Sequence, residues 1–307
     1  MSARPAQAVA ALMPSILMAG LLAPGGTAVA MAQSTAAPPQ AESAARAWVA
    51  SPATPIEAGF RLLYQLKFAE ARVQFAAWQQ QKPDDPLGYS AEAASYLFQE
   101  FHGQGVLTSE FFLDDKTLLG GIPGQPNKEL GNSFHAAIDR AQKLGQALVD
   151  REPRDANGLL ALTMTNGMLA DYSSLIEKKQ LATLHLLGVS ESYAQRLLAV
   201  DSSAGDAYVA LGISNYILAC LPAYKRFILR LGGVHGDKGT GMRQLEQAVA
   251  TGNYLQPYAE LLLALTSLRE KQPQRAQALL THLVAEFPEN PLFARELAKL
   301  GALKGPR

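Results

Sequence analysis

The residues able to do chemistry are few and scattered. Histidines stand at 102, 135, 185, 235 and 282, and none of them forms the His-Glu-x-x-His spacing that sets two imidazoles on one helical face as metal ligands. His282 falls on an amphipathic stretch and reads as a surface or boundary histidine. The single cysteine, Cys220, lies between Ala219 and Leu221 at the end of an apolar run, where it reads as a small buried hydrophobe. One cysteine also excludes an intrachain disulfide framework and a multi-cysteine metal site. The segment 232–241 is rich in glycine and contains Lys238, but Asp237 separates Gly236 from Lys238 and no strand precedes it. It reads as a turn whose Asp237 or Thr240 caps a helix over 242–250, not as a phosphate cradle. No Gly-x-Ser-x-Gly elbow occurs. Catalytic residues, metal ligands and cofactors are therefore all assigned as none.

The elements around these residues carry more information. With 48% hydrophobic residues in 307, the chain has enough apolar surface for an extended core. Its 27 basic and 27 acidic residues cancel, which argues against a nucleic-acid partner. Gly59, Phe60 and Leu62, then Phe68, Ala69, Ala71, Phe75 and Trp78, then Pro83-Asp84-Asp85-Pro86, follow the spacing of a helix-turn-helix repeat of about 34 residues, that of the tetratricopeptide (TPR) class. Small residues at Gly59 and Ala71 let the paired helices approach, Phe75 and Trp78 fill the space between them, and Pro83 ends the second helix. The arrangement recurs at Ala264, Ala276, Leu280, Leu283 and Pro288-Glu289-Asn290-Pro291. Partial copies pass through Ala141, Leu148 and Pro153, and through Asp201, Tyr208, Leu211 and Gly212. The expected fold is all-α: a TPR-like superhelix of five helix pairs beginning near residues 52, 86, 156, 205 and 257, closed by a capping helix over 291–300 with Arg295, Glu296 and Lys299 outward. A generic helical bundle is the alternative, and the recurrent turn residues argue against it.

The amino terminus differs from the rest. Arg4, the apolar stretch 8–22 and the small residues 28–32 have the layout of an export signal, with cleavage near residue 30 or 32. The domain reading is therefore 1–32 signal peptide, 33–51 flexible leader and 52–307 repeat domain, in a periplasmic or secreted protein.

Three pairs carry extra residues between their two helices, at about 102–128, 171–179 and 221–238. In a stacked array such connections emerge on one edge and converge into a wall or lid. The first insertion, through Phe111 and Phe112, is too apolar for a solvated loop and should dock on something. The third contains Tyr224-Lys225-Arg226-Phe227, part of a short basic amphipathic stretch. It reads as packing, with cationic stems lying over an apolar neighbour; contact with a membrane surface is the alternative.

These features resemble a group of bacterial exported TPR-containing proteins over residues 56–300. The resemblance rests on Phe112-Leu113-Asp114-Asp115, Tyr216 through Leu221-Pro222, Gly236-Asp237-Lys238, Gly241-Met242 and Leu245, and Gly252-Asn253-Tyr254-Leu255 with Pro257. It implies the fold and carries no biochemical activity with it. The chain departs from the pattern at Gly145, read as part of the third helix pair, where a larger packing residue is usual.

In TPR arrays the first helix of each pair lines the concave face, which receives a peptide or a partner helix. Helical projection points Met164, Ile213, Tyr216, Tyr258 and Leu261 inward, with Phe111, Phe112, Tyr224 and Arg226 as insertion contacts. The leading functional reading is a non-catalytic scaffold binding a protein or peptide segment in this groove. The second is a small apolar ligand in a pocket closed by the insertions. The third, an unrecognised hydrolase, has no catalytic constellation to support it. The first predicts an open concave surface; the second predicts insertions packed over an apolar cavity.

Overall fold

A computed structural model describes residues 54–302 apart from Gly232. The expected export signal and leader lie outside the described residues.

Among the described residues the chain forms fourteen α-helices and no strand. They run α1 (Pro55–Tyr64), α2 (Phe68–Gln81), α3 (Pro86–Gly103), α4 (Ser109–Leu113), α5 (Asp115–Gly120), α6 (Lys128–Arg151), α7 (Ala156–Asp171), α8 (Gln180–Val200), α9 (Ala207–Cys220), α10 (Ala223–Leu231), α11 (Lys238–Thr251), α12 (Gln256–Arg269), α13 (Pro273–Glu286) and α14 (Pro291–Ala302). The five pairs are α1/α2, α3/α6, α7/α8, α9/α11 and α12/α13, followed by α14. Two connections within pairs contain helices of their own, α4 and α5 in the second pair and α10 in the fourth. The third contains a π-helical turn, Tyr172–Ile176. The architecture is an all-α, TPR-like superhelix. No described helix is long and apolar enough to cross a membrane.

Local chemistry sets where the helices begin. Thr54 accepts from Glu57 N while Glu57 takes the Thr54 N–H at 2.8 Å, a reciprocal cap that satisfies two otherwise orphaned donors. The side chains of Asp85, Asn127, Asp155 and Asp237 each accept from backbone N–H groups in the first turns of α3, α6, α7 and α11. Asp237 is the cap foreseen from sequence, although its helix starts four residues earlier than expected, at Lys238. Asp206 does a longer-range job. Burial pushes its carboxyl up, while N–H donations from Asn253, Tyr254 and Leu255, at 2.7–3.0 Å, pull it down and fasten the turn before α12 to the start of α9.

Packing follows the small-residue logic. A side chain at Gly59 would overlap the Phe75 ring, so glycine is what lets α1 and α2 touch. Gly145 belongs to α6, in the second pair and not the third. It faces Gly158 and Leu162 of α7, and a larger residue there would push those helices apart. The fully buried Phe60, Phe75, Phe134, Tyr216 and Phe287 each contribute about 1.5–3 kcal/mol relative to exposure.

The superhelix turns tightly enough for its ends to meet. Phe60 of α1 stacks on Tyr254 with ring centroids 5.0 Å apart, Tyr64 Oη donates to Tyr254 O at 2.8 Å, and Lys67 pairs with Glu289 at 2.6 Å. Phe98 of α3 and Tyr258 of α12 meet edge to face across the interior, centroids 4.9 Å apart. Side chains of the first, second and fifth pairs thus meet across the interior.

Two expectations about helix faces are corrected. Glu296 of α14 points inward and is buried, because α4 covers that face and gives Glu296 the Ser109 N–H at 3.1 Å. The stretch 224–231 packs along one edge only: Arg226 donates to Ala219 O, and Lys225 and Leu229 are half-buried, but no residue of α10 is buried. Tyr224, Phe227, Ile228 and Leu231, spaced as one helical stripe, are between 62 and 75% exposed.

Candidate functional site

The three enlarged connections meet over one hollow. In the first, Arg269 of α12 donates to Phe112 O at 2.6 Å and pairs with Asp115, holding α4 and α5 against the fifth pair. Lys299 adds an ion pair to Glu110 at 2.6 Å, which pulls the Glu110 carboxyl down. Phe111 and Phe112 are buried, so this apolar insertion does dock. The first insertion reaches the second through Ile122 N, which donates to Leu175 O at 2.8 Å. Gly121 has φ +80° and lies so close to Leu175 O that a side chain could not fit, so glycine is required twice over. In the third, Arg226 donates to Ala219 O at 2.8 Å. Lys238 pairs with Glu270 at 2.6 Å, and Glu270 also accepts from Tyr216 Oη at 2.8 Å.

Beneath them is a cavity of about 270 Å³. Its walls are mostly apolar, formed by Phe101, Phe111 and Phe112, Leu184 and Leu187 of α8, Ile213 and Ile217 of α9, Leu229 of α10 and Leu262 of α12. Leu181 and Ile228 line it and are also 85% and 62% exposed, so it opens between the start of α8 and α10. A concave apolar site with few polar groups is the usual form of a small-molecule site, and this volume falls just under the usual range of about 300–1,000 Å³.

The polar lining residues are Asp171, Ser174, Thr183, Ser214, Lys225 and Tyr258. Ser214 Oγ donates to Glu191, and Thr183 Oγ1 donates to Lys179 O at 3.0 Å. Asp171 differs. It ends α7 where the helix widens into the π turn, its side chain caps nothing, and burial alone pushes its carboxyl up to about 7. Asp171 is half-buried and lines the cavity. Burial also holds the Tyr258 phenol well above its ordinary value, with the nearby Asp171 charge adding to the effect.

Of the residues expected to face a groove, the structure brings Ile213 and Tyr258 together in this cavity, with Phe111 and Phe112. Met164, Tyr216 and Leu261 are buried elsewhere between helices, Tyr224 stands in solvent, and Arg226 is spent on the α9 carbonyl. Asp171 escaped the sequence reading, although a signal was present: it is the one charged residue between Ala156 and Ile176.

One other cluster has metal-capable ligands. Glu260, His282 and Glu286 place donor atoms within 4.8 Å of one another. His282 Nδ1 lies 2.9 Å from both Glu260 oxygens, and Gln256 donates to Glu260 at 3.0 Å, so the geometry is that of a hydrogen-bonded pair. Burial raises both carboxyls. Cys220 is half-buried, and burial raises its thiol, which suits a packing role.

No family model matches the chain, and no curated protein matches it. Among solved structures, the chain is similar to the crystal structure of TTC0263, a thermophilic TPR protein in Thermus thermophilus, at 16% identity and a TM-score of 0.45, over 81% of this chain and 97% of that one.

Proposed function

We propose that the protein binds a small, predominantly apolar molecule in the cavity beneath its three insertions. The observation that carries this reading is the convergence: all three insertions contribute side chains to one apolar hollow, and the first is fastened there by Arg269. A peptide groove would need the concave surface open, whereas Phe60 stacked on Tyr254 and Phe98 against Tyr258 meet across it. Together with the export signal read in residues 1–32, this makes the protein a carrier or receptor for an apolar compound outside the cytoplasm. The role is binding without turnover.

The test is solvent extraction of the purified protein followed by mass spectrometry, beside an Ile217→Trp variant whose indole fills the cavity. An apolar compound released by the parent and missing from the folded variant supports the reading. The same compounds from both, or none from either, refutes it.

A second reading, binding of a protein segment, is favoured by the outward stripe of α10. An amphipathic partner helix could lie along Tyr224, Phe227 and Leu231. It predicts that Phe227→Asp and Leu231→Asp abolish retention of a partner from envelope extract while leaving the released compound unchanged.

A further inference from the structure

We infer that the cavity's ligand carries a protonated amine and that Asp171 is the group that recognises it. The inference rests on the apolar-ligand reading above and adds the chemistry of the ligand's polar end.

The Asp171 carboxyl receives no hydrogen bond or ion pair from any described residue. A half-buried carboxyl set against apolar walls without a protein partner is costly, and chains keep such groups where something else supplies the partner. The surrounding walls point the same way. Phe101, Phe111, Phe112 and Tyr258 line the same cavity, and aromatic rings together with a carboxylate are a combination that attracts an ammonium group. An alcohol would leave the charge uncompensated, and a fatty acid would add a second one.

The other ionisable residues lining the cavity are Lys225 of α10 and Tyr258 of α12; α3, α4, α5, the π turn, α8 and α9 contribute none beyond Asp171 itself. Among the described residues no ion pair or hydrogen bond joins Lys225 to Asp171. Because burial holds Asp171 near 7, an ammonium ligand must displace its proton at lower pH. Apparent affinity should then follow the ionised fraction, which changes about tenfold between pH 6 and pH 8.

The experiment is calorimetric titration of the full-length protein with decylamine, decanol and decanoate at pH 6 and pH 8, on the parent, Asp171→Asn and Lys225→Met. The expected result is decylamine bound at least tenfold more tightly than decanol at pH 8. Its affinity should fall about tenfold at pH 6, with proton release on binding in buffers of different ionisation enthalpy. Asp171→Asn should lose both the preference and the pH dependence yet still bind decanol, which shows that its cavity is intact; Lys225→Met should keep both. Equal affinity for decylamine and decanol, a preference for decanoate, or a preference that survives in Asp171→Asn overturns the inference and leaves the apolar cavity standing. Failure of all three probes, decanol included, overturns both.

Discussion

The side-chain amide of Asn290 donates to the carbonyl of Tyr64 at 2.7 Å, joining residues 226 positions apart. The same side chain accepts from Leu292 N at 2.8 Å at the start of α14. One buried residue thus ties the last turn of the superhelix to the end of its first helix. Without the tie, the carbonyl and the helix start would both go unsatisfied.

Asn290→Ala is therefore expected to destabilise the protein by roughly 2–3 kcal/mol, the sum of a stranded buried acceptor and a lost cap. Equilibrium urea denaturation measures it. A loss under about half a kcal/mol would mean that the ends are not held together by this contact.

The first insertion should loosen as a unit when its anchor is removed. Arg269→Ala deletes the donor to Phe112 O and the partner of Asp115. Amide hydrogen exchange should accelerate over residues 105–122 and stay unchanged in α1 and α2. Uniform acceleration would place Arg269 in global stability instead.

Gly121 provides a stricter local test. Its positive φ and its close approach to Leu175 O both exclude a side chain. Gly121→Val should cost about 1–3 kcal/mol and separate the first insertion from the π turn, read as limited proteolysis appearing near residue 121. An uncut, fully stable variant would contradict the contact.

Much of this was legible in sequence, and the reasons are physical. Gly59, Ala71, Phe75 and Trp78 report a helix pair because sterics allow few residue types at a close crossing. Asp85-Pro86 and Asn290-Pro291 mark helix starts because orphaned N–H groups need an acceptor. The three insertions showed as excess length. Their internal structure did not: α4, α5 and α10 are each shorter than three helical turns, too short for periodicity to declare itself. Closure of the ends depends on Tyr64, Tyr254 and Asn290, residues distant in sequence. Glu296 read as outward because its partner, Ser109 N, lies 187 positions away. Asp171 could have been singled out as a lone charge in an apolar run, but only the cavity gives that charge a meaning.

Asp171 also makes a prediction for the unliganded protein. Its carboxyl titrates near 7 when folded, against an ordinary value of 3.8. The folded state therefore holds the proton more tightly than the unfolded chain, and the associated stability is full below pH 4 and lost as pH rises through 7. Asp206, Glu260 and Glu286 are raised too, so the informative quantity is the difference between parent and Asp171→Asn. The variant should gain on the parent between about pH 4 and pH 7, by at most about 4 kcal/mol. Parallel pH profiles for the two proteins would show that Asp171 is not desolvated.

The most direct test of the central claim is calorimetric titration of decanol into the parent and into Ile217→Trp, with helix content of both checked by circular dichroism. One saturable site per chain is expected in the parent, with a negative heat-capacity change from apolar burial, and binding at least tenfold weaker in a variant of unchanged helicity. Binding of equal strength in both proteins, or none in the parent, would contradict it.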